Sequence, residues 1–143
     1  MMSLSGESPC RTDARLLRIS LEQAPSAPAL ARAAITGFSD GSDIVPARLA
    51  TLLLLVSEVV TNAVIHSSAP ARSEILLCAH LVGTGVVRVE VTDRGRGFTP
   101  APRDPDRPGG GYGLYLVAQE ARSWGVENEG GARVWFELAT QAG

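Results

Sequence analysis

The chain has 143 residues, 45% of them hydrophobic and 20% charged. That is material for one packed core and too little room for two domains. Its formal net charge of -2 excludes the broad basic footprint of a general nucleic-acid binder. All 13 basic residues are arginine, so anion binding falls to guanidinium groups or backbone amides, and no lysine can serve as a Schiff-base nucleophile.

Arginine-only basicity with abundant Ala and Gly suggests a GC-rich bacterial genome. Cys10 lies in a polar stretch, and Cys78 lies within the apolar run Ile75-Leu76-Leu77-Cys78-Ala79. The pair makes no disulfide framework and no CxxC metal site, so a tail thiol and a small buried hydrophobe are expected. The first fifteen residues lack a signal-peptide core, and Leu52-Leu53-Leu54-Leu55-Val56 is too short to cross a bilayer. A cytoplasmic protein without membrane contact is the expectation.

Residues 1–13, rich in Ser, Gly, Pro and charge, read as a loose tail, and residues 14–140 as the folded domain. Leu17, Ile19 and Leu21 alternate with Arg18 and Ser20, the period of a half-buried strand. Pro25 and Pro28 introduce an Ala-rich helix over residues 29–38 that stops near Gly41. Asp43 and Pro46 open a longer helix to about His66, with Leu49, Leu52, Leu53, Val56, Val60 and Ala63 forming its apolar stripe. Residues 74–81 and 86–93 read as a hairpin joined through Gly83 and Gly85. In its second strand Asp93 keeps the phase of Val87, Val89 and Val91. Residues 94–111 show no periodicity and read as a long mobile loop. A helix over 112–123 and strands over 126–128 and 132–138 complete the order β-α-α-β-β-loop-α-β-β. Hairpins with helices in separate blocks imply an α+β fold, a two-layer α/β sandwich whose antiparallel or mixed sheet is covered on one face by helices.

Three groups of residues can carry chemistry. Glu58 and Asn62 stand one helical turn apart on one face. They are either a solvated flank of the core stripe or a carboxylate acting on a nucleophile beside an amide ligand for a hard cation. Asp93 ends its strand and two glycines follow in Asp93-Arg94-Gly95-Arg96-Gly97. It is either a turn cap or an acceptor in a site where backbone approaches a ligand. Gly109-Gly110-Gly111-Tyr112-Gly113-Leu114 leads into a helix, as a hinge or as an anion site at the helix N-terminus. No strand precedes it, so the dinucleotide fingerprint is absent, and a Rossmann-type NAD fold also lacks its alternating βαβ units.

In this order the three groups resemble the boxes of the GHKL (Bergerat-fold) ATPase superfamily, which includes gyrase, histidine kinases and bacterial anti-sigma-factor serine kinases. Ser57-Glu58-Val59-Val60-Thr61-Asn62-Ala63-Val64-Ile65-His66 resembles its N-box. Asp93-Arg94-Gly95-Arg96-Gly97-Phe98 looks like its DxGxG box, and Gly111-Tyr112-Gly113-Leu114 its second glycine box. Trp124-Gly125-Val126 and Gly130-Gly131 with the strand ending at Leu138 are similar to the terminal segment of the anti-sigma-factor branch. The resemblance covers about residues 15–139.

The resemblance implies ATP and Mg²⁺ as cofactors, with Asn62 on the metal and Glu58 as the catalytic carboxylate. Asp93 would accept from the adenine amino group with Gly97 backing the base, and Gly95 and Phe98 would be further nucleotide-binding residues. Gly111 and Gly113 would line the phosphates, with Gly109, Gly110, Tyr112 and Leu114 also counted among the nucleotide-binding residues; residues 98–110 would form a lid, and His66 would stand at the site edge. Arg103 or Arg107 of the lid would reach the γ-phosphate or remain solvated. The family often carries a Thr near position 133, where this chain has Ala132-Arg133; His80 and both tryptophans read as structural. The implied activity is a protein serine/threonine kinase that phosphorylates an anti-sigma antagonist and regulates a sigma factor, as a homodimer and without direct nucleic-acid contact. The rivals are a non-catalytic ATP-dependent binding module of the same fold and a detached histidine-kinase catalytic domain. The latter lacks a phosphoacceptor helix pair in this sequence.

Overall fold

The computed structural model describes residues 16–66, 73–93, 112–128 and 132–141. The elements follow the expected order: β1 (Leu16–Glu22), α1 (Ala27–Ser39), α2 (Pro46–His66), β2 (Glu74–Val82), β3 (Val86–Asp93), α3 (Tyr112–Glu120), β4 (Ser123–Asn128) and β5 (Ala132–Ala139). The tail at 1–13 and the loop and lid at 94–111 lie outside the described residues.

Local chemistry explains most boundaries. A proline in the first turn of α1 costs no hydrogen bond, because the first helical amides have no intrahelical partner. The helix ends at Ser39, beyond which Gly41 takes φ 76°, a left-handed backbone that favours glycine. Gly83, with φ 61°, opens the three-residue turn between β2 and β3 in the same way. Three boundaries depart from the sequence expectation: α1 begins two residues early, at Ala27, and β4 three residues early, at Ser123, while the last helix ends short. The last helix was expected to run to residue 123, yet α3 stops at Glu120 and Ser123 already belongs to β4. The Arg122 amide donates to the Glu137 carbonyl at 2.9 Å, so strand pairing captures the chain two residues after the helix ends.

The five strands form one sheet in the order β1-β2-β3-β5-β4. The sheet was expected to be antiparallel or mixed, and every described pairing is antiparallel. Two helices between β1 and β2 return the chain in the opposite direction. β3 and β4, linked through α3, do run parallel, but β5 lies between them and pairs with both.

One face of the sheet meets the helices. Ile75, Leu77, Val87, Val89, Phe136 and Leu138 from the strands join Ala31, Ile35, Leu52, Val56, Val60 and Val117 from the helices in a single buried cluster. Each large aliphatic or aromatic side chain so buried contributes about 1.5–3 kcal/mol. This cluster also explains the apolarity of α2, which by length and composition resembles a membrane span. The helix is apolar because Leu52, Leu55, Val56, Val59 and Val60 face the core, at 0–2% exposure.

Candidate nucleotide site

Backbone hydrogen bonds fix how α2 lies on the sheet. The Val45 amide donates to the Thr140 carbonyl, the Thr140 amide to the Gly85 carbonyl (3.0 Å each), and Arg48 Nε to the Ala139 carbonyl at 3.1 Å. The start of α2 is thereby stapled to the end where β3 begins, since Val86 pairs with Ala139. From Pro46 to Asn62 the helix rises about 24 Å at 1.5 Å per residue. From Val86 to Asp93 the strand rises roughly the same 24 Å at 3.4 Å per residue. Asn62 and Asp93 therefore both lie towards the opposite end of the core.

The other elements agree. Gln23, just after β1, donates from Nε2 to the Val64 carbonyl at 3.3 Å and from its backbone amide to the Ser73 carbonyl at 2.8 Å. These bonds hold the last turn of α2 against the same sheet end, where Ile75 pairs with Asp93. Helix α3 leaves its C-terminal end near Glu137 through the Arg122 bond, so its N-terminal turn points back towards the Asp93 end. Leu114 and Val117 anchor that helix in the core. Its first turn carries no acidic residue, leaving the positive end of the helix dipole uncompensated by its own side chains.

At this end the expected polar residues are buried. Asp93 is 2% exposed and in phase with Val87, Val89 and Val91, as its spacing implied, and Asn62 is 6% exposed. Glu58, one turn earlier on α2, is half-buried. A carboxylate and an amide in such places would be costly without partners. His66 closes α2, and Tyr112 and Gly113 open α3. Gly95, Gly97, Phe98, Arg103, Arg107, Gly109, Gly110 and Gly111 lie outside the described residues.

Arg133 belongs elsewhere. Ala132 is the residue opposite Asp93, and Arg133 projects from the far face of the sheet, paired with Glu127 and 3.9 Å from Glu90. The side chain opposite Asp93 on β5 is thus a methyl group. Gln23 escaped the sequence analysis; a lone Gln after an amphipathic strand carries no pattern that marks it as the tie to α2.

The donor set fits a nucleotide. A buried carboxylate can accept from an exocyclic amine, an amide oxygen can hold a hard cation, and helix-terminal amides can bind phosphate. Comparison with known proteins agrees. Residues 21–138 match the family model of the histidine kinase-like ATPase domain, and the chain belongs to that family, within the GHKL superfamily. It is an ATPase-family domain, with ATP as the nucleotide the family defines.

Among solved structures, the RsbU and RsbW domains of Rv1364c from Mycobacterium tuberculosis are similar in fold. The TM-score is 0.69 at 22% identity, over 92% of this chain and 34% of that one. The blue-light activated histidine kinase of Erythrobacter litoralis EL346 is similar with TM-score 0.53 and 30% identity, over 68% of this chain and 32% of that one. Its histidine kinase domain gives TM-score 0.50 and 32% identity, over 65% of this chain and 45% of that one. The chain thus spans less than half the length of each of these proteins. Among curated proteins, none matches it.

Proposed function

We propose that the protein is an ATP-dependent protein serine/threonine kinase of the anti-sigma-factor type, acting in the cytoplasm on a small antagonist protein and restraining a sigma factor as a homodimer. The observation that supports this most is the convergence of Asn62, Asp93 and the α3 N-terminus at one end of the core, with Glu58 one turn from Asn62. Similarity to a protein that carries an RsbW domain favours the serine-kinase branch, as does the Glu58-Val59-Val60-Thr61-Asn62 order.

Bound Mg²⁺-ATP would supply the transferable γ-phosphoryl group. Asp93 would select adenine by accepting from its amino group. Asn62 would hold the metal through its side-chain oxygen. Amides at the start of α3 would bind phosphate oxygens, and Glu58 would orient the acceptor hydroxyl and take its proton. Phosphoryl transfer requires mainly such positioning and charge neutralisation.

Titration calorimetry with ATP, with and without Mg²⁺, should give saturable, metal-dependent binding. Glu58→Gln should leave ATP affinity within about threefold and lower phosphotransfer to a Ser-bearing antagonist by about 10²-fold or more. Unchanged phosphotransfer would remove Glu58 from the catalytic role. ATP binding by the wild type with no phosphotransfer to any antagonist would favour the non-catalytic binding module.

A further inference from the structure

Two features lie apart from the nucleotide site. On the sheet face turned away from the helices Cys78, expected to be a free buried thiol, is engaged in a disulfide. At the end of the core where α2 begins, a recess of about 180 Å³ opens in the surface. A single water needs only roughly 10–15 Å³ of such space, so the recess has room for a ligand.

Three segments form its wall: Asp43 before α2, Leu81, Gly83, Thr84 and Gly85 around the β2–β3 turn, and Thr140 after β5. The backbone of Thr140 is engaged on both sides, its amide with the Gly85 carbonyl and its carbonyl with the Val45 amide. Its side chain is not. Thr140 is 2% exposed, and its Oγ1 is buried with no hydrogen-bond partner. A valine would fill the same space without stranding a hydroxyl, so packing alone is a weak reason for a threonine there.

Two further groups on the wall have unmet capacity. Asp43 accepts from Gln141 Nε2 through its backbone carbonyl, at 3.4 Å. Among the described residues, no hydrogen bond or ion pair engages the Asp43 carboxylate or the Thr84 hydroxyl. Asp43 is also the only charged residue of the wall. At Gly83 and Gly85 nothing lies within 4 Å of the place a Cβ would take, so the turn leaves the mouth clear.

A carboxylate and two hydroxyls beside a leucine suit a ligand that brings N–H donors, positive charge and a short apolar stem. A primary ammonium carries three N–H donors on one charge, and the wall offers it three accepting groups. A step between staggered χ1 wells re-aims the Thr140 hydroxyl at it. Five heavy atoms at roughly 30 Å³ each, a water's share of the liquid, fill most of the recess. That is an ammonium on four carbons, the size of a lysine side chain. The chain itself contains no lysine, so a second copy cannot supply one.

We infer that this recess binds a primary ammonium on a short alkyl stem, carried by a free amine or by a lysine of another protein. Asp43 takes the charge, the Thr84 and Thr140 hydroxyls accept the other N–H donors, and Leu81 lies along the stem. Occupancy joins the same three segments whose backbone bonds anchor the start of α2. None of these residues belongs to the nucleotide site, so the two readings stand or fall separately.

The test follows the backbone amides of the full chain by heteronuclear NMR during titration with n-butylammonium chloride, with sodium chloride and 1-butanol as controls. Saturable shifts are expected at Gly83, Thr84, Gly85 and Thr140 with butylammonium alone. Asp43→Asn should weaken binding by about 10-fold or more and Thr140→Val by about 3- to 10-fold, with the urea midpoint of each variant as a check on folding. Nα-acetyl-lysine methylamide tells the sources apart: saturation by it as well assigns a protein-borne lysine, and saturation by butylammonium alone a free amine. Shifts that do not saturate, that sodium chloride or butanol reproduces, or that both substitutions leave unchanged would overturn the site.

Discussion

Gly125 lies opposite Trp135 in the β4–β5 pair, and replacing it with alanine probes how the outer face is packed. A Cβ built there meets the indole at 2.8 Å from Nε1 and 3.0 Å from both Cε2 and Cζ2. Ordinary contact begins near 3.4 Å, so the ring must retreat by about half an ångström. Its centroid is also held 4.2 Å from the Arg88 guanidinium, which is tied to Glu90 and Glu137. Moving the ring therefore disturbs a cation–π contact and two ion pairs. Overpacking of this kind costs about 1–3 kcal/mol. Against it stands the entropy that alanine removes from the unfolded strand, about 0.5–1 kcal/mol in favour of the variant.

The balance is a net destabilisation of roughly 0.5–2 kcal/mol. Urea unfolding followed by tryptophan fluorescence reads it as a lower midpoint, by about 0.3–1 M at a slope near 2 kcal/mol/M. A double-mutant cycle with Trp135→Leu isolates the contact: without the indole, Gly125→Ala should become neutral or stabilising. If Gly125→Ala stabilises the protein while Trp135 is present, only the entropy acts and the indole does not rest on Gly125.

Two further predictions concern the nucleotide site. Asp93→Asn places an amide donor against the adenine amino group and removes a buried charge-assisted acceptor. ATP affinity should fall by about 2–4 kcal/mol, some 30- to 10³-fold, with the urea midpoint measured as a control for folding; an affinity loss under threefold would take Asp93 out of the base pocket. Asn62→Ala should flatten the Mg²⁺ dependence of ATP binding in calorimetry, and a dependence as steep as the wild type's would mean that Asn62 does not hold the metal.

Much of the arrangement could be read before the structure. The alternation of Val87, Val89, Val91 and Asp93 foretold both the strand and the buried aspartate, because a period of two commits every second residue to one face. The stripe on α2 was legible for the corresponding helical reason. What stayed hidden depends on register between distant segments. Nothing local says that β5 inserts between β3 and β4, or that Arg88, Glu90 and Arg133 share one face. The end of α3 was missed because Ala121 and Arg122 continue a good helical sequence, while the bond from Arg122 to Glu137 is a tertiary event. Arg133, one residue from Ala132, points to the opposite face of the sheet from the site, a distinction that only the strand register fixes.

The two ends of the core are built on different terms. At one end backbone groups close on one another through Val45, Thr140 and Gly85, and Arg48 adds a side-chain clamp. No ligand is needed to satisfy those backbone bonds. At the other end the valine row of β3 finishes in an aspartate where the packing alone would accept another valine, and α2 carries the buried Asn62 near the end of its buried stripe. A buried carboxylate is a poor way to stabilise a sheet, since it gains only what its partners return after desolvation. Stability alone is therefore a weak reason for an aspartate at position 93, and under the proposed function a ligand that brings its own donors would be the stronger one. Because α2 is anchored at Pro46 and carries Glu58 and Asn62 towards its far end, the same rigid helix sets the height of both residues against Asp93. A substitution in the distant staple, such as Arg48→Ala, should accordingly lower ATP affinity as well as stability, by letting the helix shift along the sheet. Loss of stability with unchanged affinity would show that the Gln23 tie alone fixes the level of Asn62.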